Sequence, residues 1–177
     1  MTGAIEYGKA LFLITEEDGT TEKVTRDVKI ARSVFLKNPE YAKLLDTPAL
    51  AKDERVGLVD KAFSGLDGSL INLIKIITEK RMAHDFTEIS DAYLALYDES
   101  RGILQVDAVT AVPLTSEQTA ALAKKIGELT GKTAIIKNSV DPSILGGMKL
   151  RYGGVQLDGS VKTRLDKFEA ALRDTVI

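Results

Sequence analysis

Thr130-Gly131-Lys132-Thr133 carries the residue types that close a phosphate-binding P-loop, so nucleotide chemistry is the first possibility to weigh. A working P-loop needs glycine at position 126 and the order strand, loop, helix. Position 126 is Ile, and the flanking pattern reads helix, loop, strand. Without a helix N-terminus aiming its amides at a phosphate, the segment reads as a helix C-cap. Gly65-Leu66-Asp67-Gly68 has the GxxG form of a nucleic-acid clamp, but Asp67 repels phosphate and the stretch lies between two helical patterns. His84 is the one histidine and there is no cysteine, which excludes disulfides, thiolate zinc sites and a cysteine nucleophile. A Ser-His-Asp arrangement would need a serine such as Ser90 to converge on it; a surface or helix-cap role is simpler. Glu16-Glu17-Asp18 and Glu79-Lys80-Arg81 read as solvated helix ends rather than paired catalytic carboxylates. No catalytic, cofactor or metal site is assigned. Lys149, Arg151, Lys162, Arg164 and Lys167 outnumber Asp158 and Asp166, and this basic excess reads equally as a docking surface for an acidic partner or as a solvated face.

The elements that position these residues change character along the chain. Ile5, Tyr7, Ala10, Leu11, Phe12 and Ile14 cover more than one face of a first helix, which then needs two partners. Val24, Val28, Ala31 and Phe35 recur at helical spacing up to Pro39; Tyr41, Leu44 and Leu45 make a third helix, and Val56, Val59 and Phe63 a fourth. Leu70 to Ile77 is apolar nearly all round and fits a buried strand or a central helix; the Asp67-Gly68-Ser69 start and the polar exit favour helix. Phe86, Ile89, Tyr93, Leu96 and Tyr97 stripe a sixth helix, stopped by Gly102.

From Leu104 to Val112 the period becomes two, a strand pattern. Thr115-Ser116-Glu117-Gln118 has capping-box spacing before a helix carrying Leu122, Ile126 and Leu129 to Gly131. Thr133 to Lys137 reads as a strand and Asn138 to Ile144 as a loop. Met148, Leu150 and Tyr152 alternate with Lys149 and Arg151, Gly153-Gly154 supplies a tight turn, and Val155 and Leu157 return. Ser160 then caps a helix striped by Val161, Leu165, Phe168 and Leu172. The tripeptide Asp-Gly-Ser at 67 and 158 reads as one helix-start device used twice. The fold class is α+β: an N-terminal six-helix bundle over residues 1–104, followed by a small βαββα-type mixed domain over residues 105–177.

Composition limits function. Lys and Arg total 24 against 26 Asp and Glu among 177 residues, a balance unlike that of a chain whose main work is neutralising nucleic-acid phosphates. With 44% hydrophobic residues a core can form without staples. No apolar run approaches the roughly 20 residues of a membrane span, and Met1-Thr2-Gly3-Ala4-Ile5-Glu6 lacks secretory or transit character, so the mature chain is expected to start here in a bacterial-type cytoplasm. Helices apolar on more than one face, with no catalytic constellation, suit a protein that holds other proteins.

Three blocks resemble the delta subunit of F-type ATP synthases, the oligomycin sensitivity-conferring protein family. They are Tyr7-Gly8-Lys9-Ala10-Leu11-Phe12, the run from Asn72 to Met82 continuing through Phe86, Ile89 and Tyr93 into Val106 to Leu114, and Gly146-Gly147 through Asp158-Gly159-Ser160 to Leu165. Gly8 departs from the usual Ala and should cost that helix up to about 1 kcal/mol. The resemblance implies a non-catalytic stator subunit on the cytoplasmic face of the bacterial plasma membrane, held there only through the complex. It implies that the first and fifth helices receive N-terminal helices of the alpha subunits, at Tyr7, Ala10, Leu11 and Ile14 and at Leu70, Leu73, Ile74 and Ile77. It assigns the b-subunit peripheral stalk to the C-terminal domain, where the basic residues Lys149, Arg151, Lys162 and Arg164 are the candidates. No cofactor and no nucleic acid are implied. The rival from another class, a small RNA-binding protein, needs stacking aromatics on a basic face, for which the hairpin offers only Tyr152. On the docking reading, Ile74→Asp should abolish binding of an alpha N-terminal peptide to residues 1–104 while the fold survives.

Overall fold

The computed structural model describes residues 2–165. Six helices come first: α1 (Thr2–Glu17), α2 (Thr21–Lys37), α3 (Pro39–Asp46), α4 (Lys52–Phe63), α5 (Gly68–Glu79) and α6 (Phe86–Ser100), with a 3₁₀ turn at Ala83–Asp85. Then follow β1 (Ile103–Thr110), α7 (Ser116–Thr130), β2 (Thr133–Val140), a 3₁₀ turn at Pro142–Ile144, β3 (Met148–Tyr152) and β4 (Val155–Asp158), and residues 161–165 are helical. The architecture is α+β. Its contacts divide it into two compact units, one ending at Tyr97 and the other beginning at Asp98.

In the first unit the helical spacings become a core. Val24, Val28, Ala31 and Phe35 all face inward from α2. Phe35 meets Phe86, Phe63 and Tyr41 at ring-centroid distances of 4.5, 5.8 and 5.7 Å, pairings that add to the area they bury. Tyr41 stays half-buried, donates to the Leu58 carbonyl at 3.2 Å, and has its phenol pushed up to about 12 by burial. A polar knot fastens α1, α2 and α6: the Tyr93 hydroxyl lies 3.3 Å from the hydroxyls of Thr15 and Thr25 and from the Thr21 carbonyl, all of them buried. The segment that fitted strand or helix is α5. Asp67 decides its start by accepting the Ser69 N–H at 3.0 Å as N-cap.

Gly8 has a packing reason. A Cβ built there would meet the Ile89 carbonyl at 2.5 Å and the Ala92 methyl at 2.9 Å, so α6 crosses α1 where no side chain fits. The propensity cost expected from sequence is real in an isolated helix, yet here glycine permits the contact that buries Phe12 and Tyr93 edge to face, 6.0 Å apart.

In the second unit the sheet order is β2-β1-β3-β4. The β1 and β2 strands run parallel, joined through α7, whose start is the expected capping box: Thr115 Oγ1 accepts from Gln118 N at 3.2 Å and Gln118 Oε1 from Thr115 N at 3.0 Å. Gly131, at φ 69°, closes the helix. The β2 strand runs three residues past the expected end at Lys137, because pairing continues to Thr110 opposite Val140. Asn138, a poor strand former, is held there by its side chain, which donates to the Ala108 carbonyl and the Thr110 hydroxyl and accepts from Leu114 N. The hairpin forms as read, with Tyr152 opposite Val155 around Gly153 and Gly154.

The two Asp-Gly-Ser copies share a local turn but not a helix register. Each Asp accepts the N–H of the Ser two residues on, yet α5 starts at Gly68, whereas Ser160 itself is the second cap, accepting Thr163 N at 3.2 Å. The Phe168 and Leu172 stripe lies outside the described residues.

Gly8→Ala is the test of the crossing. A gain of up to about 1 kcal/mol is expected from helix propensity alone, and a loss of about 1–3 kcal/mol from overpacking. Thermal denaturation should show the loss.

Candidate docking surfaces

Thr130-Gly131-Lys132-Thr133 is the α7 C-cap running into β2, and Gly65-Leu66-Asp67-Gly68 is the α4–α5 turn. Among the described residues no group of three or more His, Cys, Asp or Glu is placed to hold a metal ion. His84 belongs to a clasp. The Asp46 carboxylate, at the end of α3, accepts from Ala83 N at 2.8 Å and from His84 N at 3.1 Å, and lies 2.6 Å from His84 Nδ1. The hydrogen bond to Asp46, with the added negative charge of Asp85, raises the His84 pKa above its ordinary 6.5. Of the surface and helix-cap roles expected for a lone histidine, the exposed His84 side chain takes the surface one, held by a carboxylate.

The expected docking residues separate into two sets. On α5, Leu70, Ile74 and Ile77 are 0% exposed and Leu73 is nearly as buried, as is Leu11 on α1. Expected to leave apolar surface uncovered, they are instead the first unit's own core, because α1, α2 and α4 all pack on α5. The outward set is Ala10, exposed, Tyr7, half-buried, Ile14, 49% exposed, and a residue the sequence reading passed over, Ile76, 45% exposed. Ile76 was hidden because α5 is apolar nearly all round, so that periodicity could not say which apolar position points out.

These residues share a strip along the α1–α5 seam. Lys80 Nζ sits 5.7 Å from the Tyr7 ring centroid, and Gly3 lies beside Met82, so the start of α1 meets the end of α5. Antiparallel helices anchored there bring Ile14, seven residues on, level with Leu73. Helical steps then put Tyr7, Ala10 and Ile14 on one side of the seam and Leu73, Ile76 and Lys80 on the other.

In the second unit, two of the four candidate cations are internally paired. Arg151 Nη2 lies 2.9 Å from Asp107, and Lys149 Nζ lies 3.0 Å from Asp158. Strand alternation puts both on the open face of the sheet, whereas Tyr152 and Leu150 belong to the face that buries Val106 and Ala108. Among the described residues, therefore, no aromatic side chain joins Lys149 and Arg151 on that face of the hairpin, where RNA binding would use one for stacking. Lys162 and Arg164 are exposed on the helical residues 161–165, and Lys167 lies outside the described residues. Asp158 also receives the Ser160 N–H at 2.9 Å, the Ser160 hydroxyl at 2.7 Å and the Thr163 hydroxyl at 2.9 Å, which hold its carboxyl far below the usual range. Gly147, at φ 76°, admits this knot: a Cβ there would collide with the Gly159 carbonyl.

The first unit thus carries outward apolar residues on α1 and α5, and the sheet of the second carries the cross-strand ion pairs Arg151–Asp107 and Lys149–Asp158. The family model described as ATP synthase delta (OSCP) subunit matches residues 4–172, and the chain belongs to that family. It is similar to ATP synthase subunit delta of Geobacillus sp. (strain WCH70), 30% identical over 170 residues and 96% of each chain, and to that of Rhodopirellula baltica, 32% identical over 163 residues, 91% of this chain and 72% of the relative. A chain in the cryo-EM structure of the Toxoplasma gondii mitochondrial ATP synthase hexamer shares the fold, with TM-score 0.77 at 23% identity over 96% of both chains. The protein is thus a non-catalytic stator subunit of F-type ATP synthase. Among the described residues no helix is long and apolar enough to cross a membrane.

Two measurements follow. Ile74→Asp would bury a carboxylate without a partner, at a cost of several kcal/mol against a total stability of about 5–15 kcal/mol; circular dichroism should show an unfolded or severely weakened first unit, whereas Ile76→Asp should melt like the parent. For His84 the folded pKa is raised, so its contribution to stability is complete below the ordinary histidine value and is lost as pH rises through the folded one. The thermal midpoint should therefore fall further between about pH 6 and about pH 8 in the parent than in His84→Gln.

Proposed function

We propose that this subunit links the catalytic alpha-beta head to the b-subunit peripheral stalk, so that the head cannot turn with the rotor and rotation is coupled to ATP synthesis. The first unit, as a six-helix bundle, is the head-binding part, and alpha-subunit N-terminal helices lie on the α1–α5 seam. The second unit, a four-stranded sheet with the α7 crossover rather than the three strands of a βαββα domain, binds the end of the stalk. The complex holds the chain at the cytoplasmic face of the bacterial plasma membrane.

The observation that carries the reading is the seam itself. Ile14 and Ile76 leave large aliphatic side chains half in water on adjacent helices of one unit, the pattern that a helix-in-groove contact later covers. For the stalk contact, support comes from family membership and from Lys162 and Arg164, the two of the four proposed cations that no salt bridge among the described residues engages. Lys149 and Arg151, already neutralised by Asp158 and Asp107, serve the sheet first.

Titration calorimetry of the full chain with a synthetic alpha N-terminal peptide should show binding, weakened at least about tenfold by Ile76→Asp or Ile14→Asp, equivalent to about 1.4 kcal/mol or more. Neither variant should change the melting profile. Copurification of b subunits with the full chain should persist in Ile76→Asp and be reduced in the double variant Lys162→Glu and Arg164→Glu; the opposite pattern would reassign the two units.

A further inference from the structure

Arg55 is a buried cation without a counter-ion among the described residues. The inward positions of α4 are Arg55, Val59 and Phe63, at spacings of four, so a guanidinium occupies the first step of an otherwise apolar stripe and is only 5% exposed. Arginine stays protonated wherever the protein is folded, so burial is not relieved by shedding the charge. Among the described residues its one acceptor is the Thr47 carbonyl, 3.5 Å from Nη1 and at the long limit of a hydrogen bond, and Nε has none. The neighbouring acids are committed elsewhere: Glu54 accepts from Ala51 N at 3.1 Å, Glu79 pairs with Lys52 at 3.0 Å, Asp46 serves Ala83 and His84, and Asp53 is exposed on another face of α4. A second orphan stands at the same level. Thr78 on α5 is fully buried, and its hydroxyl has no partner among the described residues. The ion pairs Lys52–Glu79 and Asp60–Lys75, at 3.0 and 2.6 Å, hold α4 and α5 antiparallel, and stepping between them sets Arg55 opposite Thr78.

We infer that this corner, between the loop 47–51, the start of α4 and the end of α5, binds a small inorganic oxyanion of the phosphate type through the Arg55 guanidinium and the Thr78 hydroxyl. The guanidinium presents its N–H donors as a fork that matches two oxygens of one anion. Thr78 donates to a third. Side chains on a helix lean toward its N-terminus, so the guanidinium leans to the positive end of α4, where Ala51 offers no side-chain oxygen to the first-turn amides. The Thr47 carbonyl steadies Nη1 and leaves Nε for the anion. One oxyanion thereby answers two buried polar groups and neutralises the charge, whereas chloride, a single atom, balances the charge without filling the fork. The stability of the first unit is in this way coupled to the oxyanion concentration around it. The site uses neither Ile14 nor Ile76, so it stands or falls apart from the docking reading.

The test uses the full chain and inorganic phosphate, with sodium chloride at equal ionic strength as the control. The Arg55 Nε–H resonance should shift saturably with phosphate, and the thermal midpoint should climb along the curve of a ligand that binds the folded state; chloride should do neither. Phosphate also stabilises proteins without binding them, through exclusion from their surface, and that rise does not saturate. Arg55→Met separates the two effects. It should lose the saturable part, keep the shallow one, and melt no lower than the parent in phosphate-free buffer, because it removes an unpaired buried charge at similar volume. Thr78→Val should bind phosphate about tenfold more weakly. An Nε–H signal that phosphate leaves in place, an equal response to chloride, or an undiminished saturable response in Arg55→Met would each overturn the site. Should Arg55→Met fail to fold, the parent titration and Thr78→Val decide the matter between them.

Discussion

The burial of α5 is the constraint on which the first unit depends. Leu70, Ile74 and Ile77 fill its inner face completely, and three other helices, α1, α2 and α4, take their positions from it. A helix that is apolar nearly all round can satisfy only part of its surface against its own chain, since neighbours approach from a limited arc. What remains, Ile76 together with Ile14 on α1, stays at the seam. The proposed docking surface is therefore what core formation leaves over, and the two cannot be altered independently at Leu73, which borders both.

Close approach governs the rest of that unit. Phe35, Phe63, Phe86 and Tyr41 form one aromatic cluster, and the Tyr93 hydroxyl gathers Thr15, Thr25 and the Thr21 carbonyl where a bare phenol would be costly. Gly8 lets α6 come near enough for this. In the second unit a comparable economy appears at Asp158, whose carboxylate serves Lys149, Ser160 and Thr163 together and so binds the hairpin to the helical residues after it.

Much of this was legible beforehand wherever one local rule decided the outcome. The α2 stripe, the Thr115–Gln118 capping box, the Gly153-Gly154 hairpin and the Ser160 cap each depend on spacings of a few residues, and each formed as read. The exposed side of α5 was not legible, because choosing among Leu73, Ile74, Ile76 and Ile77 requires knowing where the neighbouring helices stand. The end of β2 was missed because Asn138 looks like a loop residue until Ala108 and Thr110 are placed beside it. Gly8 looked like a helix weakness for the same reason: its counterpart, Ile89, lies far along the chain. Lys149 and Arg151 counted as spare positive charge in one dimension and proved half of two cross-strand pairs in three.

The position of β1 in its sheet has a mechanical meaning for a stator. The chain passes from Gly102 directly into Ile103, the first residue of an inner strand flanked by β2 and β3. Over eight residues β1 is laddered to a parallel partner. A strand paired on both sides offers no free edge, so releasing it means breaking its bonds to β2 and to β3 alike. The chain thereby enters the second unit at the strand of its small sheet that has the most pairing.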